Sequence, residues 1–75
     1  MGTPTEFPIR GATITLGQLL KLADVVASGA EVKALIAGET VLVNGEAETR
    51  RGRQLRPGDV VCVRDRELRV TGRGT

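Results

Sequence analysis

The chain changes its hydrophobic rhythm once, near Thr40. Before that point apolar residues recur at helical spacing: Leu16, Leu19, Leu20, Ala23 and Val26 form one stripe, and Val32, Leu35 and Ile36 form another. Thr15-Leu16-Gly17-Gln18 opens the first stripe as a capping box, with a hydroxyl and a side-chain amide placed to satisfy free amides at a helix start. Ser28-Gly29-Ala30-Glu31 repeats the device at the second. The spacing predicts one helix over about 16–26 and a second that begins after Ser28 and stops near Gly38. So short a connection packs the two at an angle.

After Thr40 the period falls to two. Val41-Leu42-Val43 reads as a strand, Asn44-Gly45 as a hairpin turn that needs positive φ at both positions, and 46–49 as the start of the return strand. Residues 50–56 read as polar and irregular, Pro57-Gly58-Asp59 as a turn and 60–64 as a strand. Asp65-Arg66 reads as a tight turn into a last strand over 67–71. Upstream, Thr5 to Ile9 suits a short edge strand, because Pro8 lacks a donor. The fold expected is α+β: two packed helices followed by a small, mainly antiparallel sheet, with the helices on one face. One domain is expected over 1–75, with its core over about 14–71 and frayed tails at 1–4 and 72–75.

Composition narrows the chemistry. A chain of 75 residues buries roughly 60–65% of its unfolded surface, and with Phe7 its only ring the core must be Val, Leu, Ile and Ala. There is no His, one Cys and one Ser, so neither a His-based nucleophile system nor a zinc site can be assembled. No enzyme activity, cofactor or metal is expected. Cys62, on an alternating strand, reads as a small buried hydrophobe. The chain has no apolar run of membrane-spanning length and no signal-peptide layout, so a cytoplasmic monomer is the simplest expectation.

Charge adds the sharpest feature. The net +2 divides into −1 over residues 1–41 and +3 over 42–75, and Thr49 to Arg56 holds four Arg and no acid. Four unpaired guanidiniums cannot be core. On the surface they repel one another within about 10 Å unless countered. Two readings follow. Glu46, Glu48 and Asp59 neutralise a solvated loop, or Arg50, Arg51 and Arg53, with Arg56 added on charge alone, form a phosphate-binding patch. Lys33 should face outward or sideways on the second helix. With one ring there is no platform for stacking bases, so a nucleic acid would be read through its phosphates and shape.

The order of these signals is informative. A capped helix is followed by Ser-Gly-Ala-Glu-Val-Lys, then Val-Leu-Val-Asn-Gly-Glu, then Glu-Thr-Arg-Arg-Gly-Arg-Gln-Leu-Arg-Pro-Gly-Asp. Over about Ile14 to Val63 this resembles the S-four-type RNA-binding domain, or alpha-L motif, in its small stand-alone bacterial YbcJ-like form. The resemblance implies two helices against a small sheet and a non-catalytic module that binds structured RNA, ribosomal or transfer RNA, including RNA within the ribosome. It places Lys33, Arg50, Arg51 and Arg53 at basic positions of that group. The chain departs from the broader pattern at Gly29 and Glu46, where basic residues are common, and at Glu39, where a helix-ending Gly is usual. Those departures move the expected contacts onto the arginine loop. Two other functions stay open. A β-grasp sulfur carrier shares the Val-Asn-Gly-Glu hairpin and the Leu-x-x-Gly-Asp turn, but needs a Gly-Gly terminus where this sequence reads Gly72-Arg73-Gly74-Thr75, and two successive helices do not suit it. A protein–protein adaptor would set the arginine loop against an acidic partner.

Overall fold

The computed structural model describes residues 4–72. Its elements are β1 (Thr5–Ile9), β2 (Ile14–Thr15), α1 (Leu16–Leu22), α2 (Gly29–Gly38), β3 (Val41–Val43), β4 (Glu46–Ala47), β5 (Gln54–Leu55), β6 (Val60–Val63) and β7 (Arg66–Gly72). Five strands form one sheet in the order β1-β7-β6-β3-β4, and β2 pairs with β5 in a separate two-stranded ladder. The fold is α+β, as the hydrophobic rhythm predicts. All pairings are antiparallel except β1 with β7, where Thr5 lies opposite Leu68 and Ile9 opposite Gly72.

Strand alternation sets the inner face of the sheet. Val41 and Val43, Val61 and Val63, and Leu68 and Val70 point one way, where the two helices bring Leu16, Leu19, Leu20, Val32, Leu35 and Ile36 against them in one apolar cluster. Phe7 joins at its margin. The core contains no ring that is fully buried and depends on branched aliphatic packing.

Helix α1 is shorter than its apolar stripe predicts. It ends at Leu22 because Asp24 adopts φ 62°, and the amides of Asp24 and Val25 turn back to the carbonyls of Lys21 and Leu20. That is a Schellman closure, with Asp in the place glycine usually takes. Ala23 and Val26 stay buried although they are no longer helical. Arg66 Nη1 donates to the Ala23 carbonyl at 2.9 Å, satisfying an acceptor that the ended helix leaves without a partner. At the far end, α2 stops in an extended Glu39, not in a left-handed Gly38.

Other boundaries shift for local reasons. Asn44 (φ 52°) and Gly45 (φ 86°) make the expected hairpin turn. The last hairpin turns at Arg64-Asp65, one residue earlier than expected, so Arg66 already pairs with Val63. Of the expected frayed ends, 1–3 and 73–75 lie outside the described residues, whereas Gly72 is a strand residue. Cys62 is not in the core: it is half-exposed on the outer face of β6, between inward-facing Val61 and Val63. Burial and the nearby Glu67 carboxylate push its thiol pKa up, which keeps it protonated.

The segment 50–56, read as irregular, contains β5. Leu55 is fully buried there and pairs with Ile14. This one apolar anchor should be costly to remove: Leu55→Ala is expected to lose about 2–5 kcal/mol. Leu22→Ala, at a side chain 55% exposed, should change stability by no more than about 0.5 kcal/mol. Chemical unfolding of both variants checks the contrast.

Candidate nucleic-acid interface

The arginine-bearing segment is fastened at each end and in the middle. Its middle docks on the start of α1: Leu16 N–H donates to the Arg53 carbonyl at 2.8 Å and Gly17 N–H to the Arg51 carbonyl at 2.9 Å. Thr15 Oγ1 accepts from Gln18 N–H at 3.2 Å. The first turn of α1 therefore finds its acceptors in the loop backbone as well as in its own cap residue. The sequence pattern predicts a capping box; the hydroxyl half forms, and the loop carbonyls do the rest. The loop lies close over Gly17: a Cβ there would sit in ordinary contact, 3.4 Å from both the Arg51 carbonyl oxygen and Val32 Cγ1.

The downstream end is held through Asn44. Its side chain donates to Asp59 Oδ1 and accepts from Val60 N–H, each at 3.0 Å. Asp59 Oδ2 accepts from Arg56 N–H at 2.8 Å. Burial would raise the Asp59 pKa, but these two hydrogen bonds and the nearby Arg53 and Arg56 charges outweigh it and lower the value.

The upstream end is held by Glu48, the one buried charged side chain among the described residues. Oε2 accepts from the backbone amides of Thr49 and Arg50 and from Arg50 Nε at 3.1 Å, and Oε1 accepts from Arg53 Nη1 at 2.8 Å. Both guanidiniums thus pair with one carboxylate. Hydrogen bonds from the Arg50 side chain and backbone, then from Arg53, pull its pKa down to about 2.

This arrangement divides the expected site residues. Arg50 and Arg53 are ion-paired to Glu48, with side chains 73% and 34% exposed. Among the described residues, Arg51, Arg56 and Lys33 form no ion pair, nor does Glu46, which was read as a neutralising acid. Lys33 is exposed on α2, as its place in the helix predicts. Lys33 and Arg51 come together across a shallow concavity of about 400 Å³, whose other walls are Ile36, Ala37 and Thr49. Sequence reading did not find this concavity, because only the docking of the loop on α1 brings Thr49 and Arg51 beside Ile36 and Ala37 of α2. A third arginine, Arg64, is bound to Glu39 through two contacts of 3.0 Å and serves the fold. Among the described residues no cluster of acidic, Cys or His side chains could hold a metal ion, and no helix is long and apolar enough to cross a membrane.

A capped helix pair thus packs on an inward-facing aliphatic sheet, with a basic loop locked to the first helix. Residues 7–71 match the family model described as the S4 domain, and the chain belongs to that family. It is also 58% identical over 50 residues, 67% of this chain and 70% of the relative, to the "Probable ribosome maturation protein RlbA" of Bacillus subtilis (strain 168).

The lowered Glu48 pKa has a definite sign. A carboxyl group that titrates lower in the folded chain than in the unfolded one stabilises the fold above about pH 4.5, and that contribution disappears as pH falls toward about 2. At neutral pH Glu48→Gln should melt several degrees below the wild type, and the gap should close across this window. Thermal melts of both proteins between pH 7 and 2 measure it.

Proposed function

We propose that the chain is a non-catalytic RNA-binding module that recognises structured RNA through Lys33, Arg50, Arg51, Arg53 and Arg56, and that its target is ribosomal RNA during ribosome maturation. The observation that carries this reading is the meeting of Lys33 and Arg51 across one concavity. Two cations on different elements, neither ion-paired to an acid among the described residues, face a space that an anionic backbone can enter. Family membership supports RNA as the ligand, and the name of the Bacillus relative supports the ribosomal setting. Such a module acts in the cytoplasm and as a monomer.

The mechanism is electrostatic and geometric. Guanidiniums fork onto phosphate oxygens in pairs, whereas Lys33 supplies a point charge. The Ile36 and Ala37 floor of the concavity offers contact to sugar edges without hydrogen-bond readout. With one partly buried ring, Phe7, the chain has no stacking surface, so a folded or duplex region suits it better than an extended single strand. The two successive helices and the S4 domain match give the β-grasp carrier reading no support. An acidic protein partner remains the competing occupant of the same charges.

Salt dependence separates these outcomes. With about four phosphate contacts, the log–log slope of affinity against salt should be about −3 to −4 on a ribosomal RNA fragment. Replacing Arg50, Arg51 and Arg53 together by Ala should remove most of that slope, and unchanged affinity and slope would refute the role of the loop. Lys33→Ala should weaken binding by itself and make the slope shallower by about 1. Filter binding or fluorescence anisotropy at several salt concentrations measures both.

A further inference from the structure

The charge arithmetic of the loop contains a contradiction. A site for polyanions gains from every added cation, yet this one places an ionised carboxylate among its arginines. Glu48 is only 8% exposed, and its two oxygens accept five hydrogen bonds, two from backbone amides and three from guanidiniums. We propose that Glu48 is a positioning residue for RNA binding: its carboxylate fixes the Arg50 and Arg53 guanidiniums so that their remaining N–H donors are already oriented for phosphate. This rests on the RNA-binding reading and adds to it a residue of opposite charge that does not touch the ligand.

The geometry supports this role over simple neutralisation. Arg50 engages Glu48 by one edge, Nε at 3.1 Å to Oε2 and Nη2 at 3.4 Å to Oε1. A guanidinium has five N–H donors, so the opposite edge is still available, and the side chain is 73% exposed. Arg53 spends Nη1 on the same carboxylate and keeps its other amino group. An unpaired arginine at such a site samples many rotamers and must surrender them on binding, whereas these two are already held. The acid also reduces repulsion between the two cations, which would otherwise splay the loop away from α1. Its low pKa keeps it ionised throughout the physiological range.

The test turns on sign. If Glu48 only subtracts charge, Glu48→Gln should bind RNA more tightly. The positioning role requires the reverse: Glu48→Gln binds roughly threefold to tenfold more weakly at neutral pH, and its salt slope is shallower by about 1. Glu46→Gln is the control, since Glu46 is exposed and lies outside the site's ion pairs; it should bind as tightly as the wild type or more so. Circular dichroism at the assay temperature establishes that each variant is folded. Should Glu48→Gln fail to fold, Arg50→Lys decides the matter, because it keeps the charge on an exposed side chain and loses the forked grip on Glu48. It should bind nearly as weakly as Arg50→Ala, and wild-type affinity for Arg50→Lys overturns the proposal. Glu48→Gln binding as tightly as Glu46→Gln overturns it too, with RNA binding itself intact. If the wild type shows no salt-dependent RNA binding, the underlying reading falls and the positioning role falls with it.

Discussion

Two backbone hydrogen bonds determine where the basic surface sits. The carbonyls of Arg51 and Arg53 cap the first amides of α1, so the arginine loop is part of a helix terminus and not an excursion from the sheet. A helix start needs acceptors for its free amides, and a loop crossing the surface needs partners for its carbonyls; here each meets the other's need. The β2–β5 ladder extends the same seam, with Ile14 opposite Leu55 and Thr15 opposite Gln54. Because α1 packs against α2, the seam also fixes the distance between the loop and Lys33.

Much of this was legible in the chain itself, and the rest was hidden for identifiable reasons. The apolar stripes, the two N-cap residues and the Asn-Gly turn are local signals, and they specify the start of both helices and the β3–β4 hairpin turn. The end of α1 was not legible, since Ala23 and Val26 keep the helical stripe while Asp24 turns the backbone left-handed. Periodicity reports burial, and burial continues past the last helical residue. β5 escaped notice because a two-residue strand has no period. Cys62 was misplaced for a simpler reason: β6 alternates Val60-Val61-Cys62-Val63, four apolar residues in a row, and the pattern cannot say which pair faces inward.

For the candidate site, composition pointed to the arginine segment and said little about its organisation. A run of four arginines is visible to anyone who counts charges. That one neighbouring glutamate would gather two of them, leaving Arg51 and Arg56 outside any ion pair among the described residues, depends on the turn in which Arg53 N–H donates to the Arg50 carbonyl. Glu46 and Glu48 are two positions apart, Glu46 in β4 and Glu48 just beyond it. Glu46 is exposed at the turn, while Glu48 lies beneath the loop, where its amide bonds the Val41 carbonyl. The difference between a solvated charge and an organising one is thus set by tertiary docking.

The parallel pairing of β1 with β7 bears on how the molecule is assembled. Thr5 must wait for Leu68, so β1 acquires its neighbour only after the other described elements have been made. Contacts between residues so distant in sequence slow folding, because the long loop between them has to close first. Until then β1 is an orphan with bare hydrogen-bonding groups along both sides. Pro8, which removes one donor from that strand, makes it a poor template for a passing stranger during the delay.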